Sequence, residues 1–358
     1  MQTARFHGIK DIRVESVSEP GELRPHEVLL RPQWCGICGT DLHEYVAGPI
    51  VTPVDPHPLT HAQLPQILGH EFSGDVIAIG SQVSNVQVGD RVAVMPLVYC
   101  GQCYYCRRGL NHLCQTMGCV GLSWAWGGLA EQAIVLDYQV ASLPDTVTYE
   151  QGALIEPAAV AAWSVAQAGV RSGDTVLITG AGPIGGLAIL AASAAGASQI
   201  YLSEPNLRRA QRAERLGLTA LIDPTTSDVA AEIRERTSGL GVDVSIECSG
   251  NAAALNACLA ATRKAGRVAQ TGLHVRPAAI DAMLLSNNEI TLVGTWCYPV
   301  YDWPRMIALV ASGKLPVEKV ISSKIELANI LHDGFEPLLD RQGDQMKILV
   351  NARSTSQR

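Results

Sequence analysis

An α/β architecture in two unlike parts is predicted for this chain: a mostly-β part with the form of a partly open barrel, and a doubly wound parallel sheet. Three observations predict it. Residues 1–156 are rich in glycine, proline and short β-branched runs, residues 157–295 alternate strand and helix signals, and one loop of the first part carries four closely spaced cysteines. A length of 358 residues allows two or three domains, and an apolar content of 47% can fill their cores.

In the first part, residues 27–31, 72–79 and 91–94 read as strands separated by long loops, so this region is expected to be all β. From residue 157 the strands are expected at 174–179, 199–203, 220–223, 243–247, 267–271 and 290–293, with helices opening at Ile184 and Asn206 and helical stretches between most of the others. Such alternation implies a parallel sheet, because each crossover needs a helix to carry the chain back to the same edge. After Gly294 the alternation stops, and residues 303–350 read as helix, turn, helix and a closing strand at 346–350. That tail is expected to return to the first part, making one domain of residues 1–156 and 296–358 and a second of residues 157–295. Residues 354–358 read as disordered.

The formal charge is −7 and no basic run interrupts the chain, which opposes a nucleic-acid partner. The first residues, MQTARFHGIKDIRVE, carry no apolar core of the export type, and no stretch is apolar over the length of a membrane span. A cytoplasmic protein with no membrane partner is expected. Ten cysteines in such a chain suit metal ligands and small core residues such as Cys248, Cys258 and Cys297 better than a disulfide framework.

Cys100, Cys103, Cys106 and Cys114 stand in a C-x2-C-x2-C-x7-C run, short enough for four thiolates to converge on one ion. This is the pattern of a closed structural zinc site, and x2 spacings would strain a disulfide. A second metal set is read from Cys38, in the run Cys35-Gly36-Ile37-Cys38-Gly39-Thr40-Asp41, and from the pair His70-Glu71. A thiolate, an imidazole and a carboxylate suit a catalytic zinc, which keeps one position open.

Gly180-Ala181-Gly182-Pro183-Ile184-Gly185 is a G-x-G-x-x-G sequence that follows an apolar strand and opens a helix. The first glycine permits a tight turn, the second lets backbone approach a pyrophosphate, and the third lets helix and strand pack closely, with the helix N-terminus aimed at the phosphates. Glu204 ends the next strand, where a carboxylate can accept from both ribose hydroxyls and repel a 2′-phosphate. A dinucleotide is therefore expected, NAD rather than NADP. Arg208 and Arg209 weigh the other way, because an arginine nearby can accommodate the extra phosphate; on a helix they also read as a solvated face.

GHEFSG at 69–74 followed by Gly80, VGDRV at 88–92, the four-cysteine lobe, ALIEP at 153–157 and GAGPIG at 180–185 together resemble the medium-chain zinc-dependent alcohol and polyol dehydrogenases over essentially the whole chain. Within that family, HEYVAGPI at 43–50, Pro53, PHPLT at 56–60, GTWCY at 294–298 and LPVEKVISSKI at 315–325 are most similar to the (R,R)-2,3-butanediol branch. The resemblance implies two zinc ions per subunit, one catalytic and one structural, a Rossmann domain binding NAD, and a homodimer or homotetramer. It makes Cys38 and His70 catalytic zinc ligands and leaves Glu71 and Glu156 as the acidic candidates for the remaining position. Many alcohol dehydrogenases have a cysteine where this chain has Glu156, and the departure matches the polyol branch. Cys35 is a poorer candidate, since the family motif uses the second cysteine of the pair.

By the same resemblance zinc would polarise an alcohol oxygen, a hydride would pass to the nicotinamide, Thr40 would accept the proton, and His43 would serve as outer base. The expected substrate is a small alcohol, diol or hydroxyketone, with 2,3-butanediol and acetoin foremost. Tyr45, Ile50, Phe72 and Trp296 are candidate apolar walls of its pocket. A sorbitol- or xylitol-type polyol dehydrogenase would carry the same zinc ligands. A silent binding protein on the same fold is the alternative outside enzymes, and the retention of Cys38, His70, Thr40 and His43 speaks against it.

Overall fold

Two large sheets organise the chain in the computed structural model, which describes residues 1–353; the tail expected to be disordered, 354–358, lies outside the described residues. The first sheet runs in the order Val140–Ser142, Arg91–Val94, Glu71–Ile79, Glu27–Gly36, Lys347–Asn351 and Ile321–Glu326, with Ala133–Leu136 also paired to Glu27–Gly36. Gln2–Gly8, Asp11–Ser16 and the short strand Gln66–Ile67 form a further three-stranded sheet beside it. The closing strand pairs antiparallel with residues 34–36 and parallel with Ile321–Glu326, so the end of the chain lies against its beginning.

The second sheet is parallel throughout, in the order Ala220–Ile222, Gln199–Ser203, Thr175–Thr179, Val242–Glu247, Thr262–Gln270 and Thr291–Gly294. Its central strands read as unbroken apolar runs because helices cover both faces: Val176, Leu177 and Ile178 have no exposed surface at all. The order reverses between Thr175–Thr179 and Val242–Glu247, which makes their carboxyl ends the switch point where open α/β sheets bind ligands.

The helix Ile155–Ala168 joins the two parts. Its buried face (Ile155, Ala158, Ala161, Val165) belongs to one apolar cluster with Leu187 and Leu190 of the helix Pro183–Ala194, Met95 and Leu97 of the first part, and Trp303, Met306 and Val310 of the helix Trp303–Ala311. A second cluster, with Phe6, Val28, Leu30, Phe72, Val92 and Phe335, fills the β part.

Three local expectations need correction. Residues 1–156 are not all β: Gly39–Ala47 is a helix, started by Cys38 as N-cap, whose N–H donates to Oδ2 of Asp41 at 2.9 Å. Residues 321–326, in a tail read as helix, turn and helix with no strand before the closing one, form an edge strand; the sequence Ile-Ser-Ser-Lys-Ile-Glu is too polar to declare a core face, and pairing with the closing strand decides its conformation. The strand expected at 267–271 begins earlier, at Thr262, and its polar half, Arg263 to Gly266, carries no apolar signal.

Candidate active site

The loop between Glu27–Gly36 and the helix Gly39–Ala47 brings Cys38 to the point where Glu71–Ile79 begins, immediately after His70. One ligand atom each from Cys38, His70 and Glu71 lies within 4.8 Å of the others. The imidazole Nδ1 of His70 lies 3.6 Å from Oδ1 of Asp41, a residue with no exposed surface, which leaves Nε2 as the nitrogen available to a metal. Glu71 is held from behind: Nζ of Lys347 donates to its two oxygens at 2.6 and 2.8 Å and to the carbonyl of Ile37 at 2.9 Å, all out of water.

Glu156 arrives from the first turn of Ile155–Ala168 and is only 7% exposed. Burial, with the charge of Glu71 adding to it against the opposing His70, pushes its carboxyl up to about 7. The buried hydroxyl of Tyr298 faces it. Asp41 is likewise pushed up to about 6 by burial. The His70 imidazole moves up, its burial outweighed by Cys38 and Asp41. Carboxyls whose burial disfavours their charge, gathered beside an imidazole and a thiol, are what a divalent cation would ionise and neutralise, so the donor set fits zinc.

Cys35 stands apart from this set, fully buried with its thiol on the carbonyl of Gly36. Thr40 Oγ1 lies 3.8 Å from the Cys38 sulfur. His43 follows three residues later on the same side of the helix and is exposed; no hydrogen bond joins it to Thr40 among the described residues. The expectation that Phe72 lines a substrate pocket is corrected: its ring is 1% exposed and sits in the β core under Gly128, where even a Cβ would meet it at 2.5 Å. Tyr45 packs edge-on to Phe335, while Ile50 and Trp296 are exposed. Glu44, buried, accepts the N–H groups of Ile50 and Val51 and so shapes the loop that follows the helix.

The four-cysteine lobe closes as expected from its spacing. Ligand atoms of Cys100, Cys103, Cys106 and Cys114 all lie within 4.8 Å of one another. Backbone N–H groups point at the sulfurs, from Cys103 to Cys100 at 3.3 Å and from Cys106 to Cys103 at 3.5 Å. The Cys106 N–H is the largest influence in pulling the Cys103 thiol down to about 6, into thiolate range.

At the switch point the strand Thr175–Thr179 turns through Gly180 at φ +92° into Pro183–Ala194, with Gly182 as N-cap and Pro183 at the first helical position. A Cβ on Gly185 would stand 1.8 Å from the carbonyl of Gly180, so only glycine lets helix and strand meet there, whereas the space beside Gly182 is open. Ile184 packs on the core below. Gly180, Gly182, Glu204 and Arg209 line a cavity of about 800 Å³. Glu204 accepts the N–H of Ala181 at 2.6 Å and of Asn206 at 2.8 Å, which fixes the carboxylate at the cavity wall. Asn206 Oδ1 caps the next helix by accepting the N–H of Arg208 and Arg209. The Nε of Arg209 is buried without a partner among the described residues.

Asp41, Lys347 and Tyr298 are the residues sequence reasoning passed over. Asp41 carried a signal, an acid three residues after Cys38 at a helix start, and Lys347 another, a single charge in an otherwise apolar strand. Tyr298, inside GTWCY, carried none.

Comparison with known proteins shows the family. Residues 24–145 match the family model described as "Alcohol dehydrogenase GroES-like domain", and residues 183–312 match "Zinc-binding dehydrogenase". The chain is 41% identical over 352 residues to the (R,R)-butanediol dehydrogenase of Bacillus subtilis (strain 168), covering 98% of this chain and 99% of that one. It is 33% identical to the sorbitol dehydrogenase of the same strain, covering 98% and 97%. The crystal structure of 2R,3R-butanediol dehydrogenase from Bacillus subtilis superimposes with a TM-score of 0.92 at 40% identity, over 98% of this chain and 99% of that one. Shared sequence over nearly the full length, on a fold that gathers two metal-ligand sets and a phosphate loop, places the chain in the zinc-binding alcohol dehydrogenase family.

Proposed function

We propose that the protein is an NAD-dependent oxidoreductase of small secondary alcohols, with 2,3-butanediol and acetoin as the pair it interconverts. The observation that carries the redox reading is the gathering of Cys38, His70 and Glu71 into one ligand set beside the buried carboxyl of Glu156, in a chain whose parallel sheet also presents a phosphate loop. The substrate reading is supported by 41% identity to a butanediol dehydrogenase and by the near absence of charge in residues 45–54.

In this reading Cys38, His70 and Glu71 would hold the catalytic zinc, with Glu156 acting across the open position, and Cys100, Cys103, Cys106 and Cys114 would hold the structural zinc. When bound, the catalytic ion supplies Lewis acidity toward an alcohol or carbonyl oxygen and the nicotinamide supplies the hydride acceptor. Lys347 orients Glu71 by donating to both of its oxygens, and Asp41 stands beside Nδ1 of His70 on the side away from the ligand set. Thr40 takes the substrate proton and His43, exposed at the far end of the first helical turn, returns it to solvent. The turn through Gly180 and Gly182 would receive the pyrophosphate at the N-terminus of the helix opened by Pro183 and Ile184, with Gly185 letting that helix pack on the strand, and Glu204 would take the adenosine ribose hydroxyls, with Arg209 on the same wall.

Residues 1–156 and 296–358 would form the catalytic domain and 157–295 the cofactor domain. A homodimer or homotetramer is supported by the edge strand Thr291–Gly294, unpaired on one side among the described residues, and by exposed Val275, Met283 and Tyr301. Among the described residues no helix is long and apolar enough to cross a membrane; we place the enzyme in the cytoplasm. Initial rates of nicotinamide reduction with (R,R)-2,3-butanediol, sorbitol and ethanol test the function. Butanediol should give the highest kcat/KM; sorbitol equal or ahead would assign the chain to the polyol branch.

A further inference from the structure

Glu247 has no exposed surface, ends the strand beside the phosphate loop, and takes no part in the chemistry above. In the sheet register it stands opposite Thr179 on one side and Gln270 on the other, so it occupies the switch point itself. One carboxylate oxygen accepts the N–H of Ser249 at 2.7 Å and its hydroxyl at 2.5 Å. The other accepts the N–H of Gly250 and Nε2 of His274, both at 3.2 Å. Its carbonyl accepts the N–H groups of Thr271 and Gly272 at 2.9 Å. The two segments, 248–250 and 271–274, are pressed together: a Cβ on Gly272 would meet the Gly250 nitrogen at 2.1 Å and Glu247 Oε2 at 2.7 Å.

These two segments differ in what they face. Cys248 and Ser249 line the cavity that holds Gly180 and Glu204, the adenosine side. Residues 271–274 leave the second half of the sheet, on the side toward which the dinucleotide must extend after crossing the switch point. His274 is the sole ion-pair partner of Glu247 among the described residues, and its ring is 14% exposed. A buried carboxylate of this kind is stable only with its donors in place, so it fixes the spacing of the segments it joins.

We propose that Glu247 and His274 are positioning residues for the nicotinamide half of the cofactor. The carboxylate anchors residues 248–250, and the imidazole draws residues 271–274 to the same point, so that the second half of the crevice has one shape before the cofactor arrives. This rests on the dinucleotide reading above. It goes beyond that reading in separating the determinants of the two halves: Glu204 serves the adenosine end, and the Glu247–His274 pair serves the other.

The test compares NADH with ADP-ribose, which lacks the nicotinamide, by titration calorimetry on the zinc-loaded enzyme. His274→Ala should weaken NADH by about tenfold, the scale of one charge-assisted hydrogen bond, and leave ADP-ribose within about twofold. His274→Gln, which keeps an N–H donor, should recover most of the NADH affinity, a rescue that general loosening of the fold would not give. Should His274→Ala fail to fold, His274→Leu, which keeps most of the volume and removes the donor to Glu247, carries the same comparison, with the same selective loss expected. Equal losses for the two ligands, an unchanged NADH affinity, or a His274→Gln no better than alanine would overturn the inference. Unmodified enzyme that binds neither compound would overturn the dinucleotide reading and this inference with it.

Discussion

Replacing Lys347 by methionine removes the cation behind Glu71 while keeping most of the volume of its stem. Both side chains are about 1% exposed, and the lysine nitrogen makes three hydrogen bonds, two to the carboxylate and one to the carbonyl of Ile37. Breaking one partner of a buried pair costs about 3–5 kcal/mol, because the other charge is left in low dielectric. That figure belongs to the metal-free protein. With zinc bound through Cys38 and His70, a second cation neighbours Glu71, so the loss should shrink to roughly half or less. The thermodynamic cycle then requires zinc to bind Lys347→Met more tightly than wild type by the difference, on the order of tenfold or more. The assay is urea unfolding of wild type, Lys347→Met, Glu71→Gln and the double variant, each stripped and zinc-loaded, together with zinc competition against a chelator. The double variant should recover much of the metal-free loss. Equal destabilisation with and without zinc would show that Glu71 does not face the metal, and a loss below about 1 kcal/mol would show that the pair carries no buried charge.

Metal analysis of the active enzyme should give two zinc ions per chain, and a chelator should remove the catalytic ion first, taking activity with it, since the four-cysteine site is closed. Gly185→Ala should abolish NADH binding and destabilise the fold by several kcal/mol, because the new Cβ would fall 1.8 Å from a backbone oxygen that cannot yield; retained calorimetric affinity would refute it. His43→Ala should lower kcat of alcohol oxidation mainly at low pH, by up to about a hundredfold, and leave the zinc content unchanged; an unaltered pH profile would remove His43 from the proton path. The Glu156 carboxyl rises from 4.5 to about 7 on folding without metal, so its contribution to stability is full below pH 4.5 and is lost as the pH climbs to 7. Chelator-stripped enzyme should therefore lose stability across that window relative to zinc-loaded enzyme, with Asp41, raised to about 6, adding to the loss, and parallel stability curves for the two forms would refute the assignment.

Much of the fold could be read in advance because its signals are local. The parallel strands Gln199–Ser203 and Thr175–Thr179 are short apolar runs bounded by turn residues, and the phosphate loop declares its own strand and helix. The four-cysteine lobe is local too, since all its ligands fall within fifteen residues. What escaped is non-local. Ile321–Glu326 becomes a strand only because Lys347–Asn351 lies beside it. Phe72 reads as a pocket wall from its place beside His70-Glu71, and only the packing of Gly128 onto its ring shows it to be core. Lys347 lies 276 positions from Glu71, and no periodicity links a cation in the last strand to a carboxylate in the middle of the sheet.

The distribution of charge explains why these distant residues matter together. Around the catalytic ligand set the fold buries Asp41, Glu71 and Glu156 together with the partly buried Cys38 thiol, and it supplies one buried lysine. Left alone, the fold must protonate some of these groups, which is the direction in which burial pushes Asp41 and Glu156. A divalent ion removes that requirement, so stability in the physiological range and occupancy of the site become the same free energy. Lys347 tempers this: it satisfies Glu71 in advance, so that the site stays folded while empty and the metal binds less tightly than the full set of anions would allow. A lysine in the final strand would thus set both how well the β part holds without zinc and how firmly it would hold zinc.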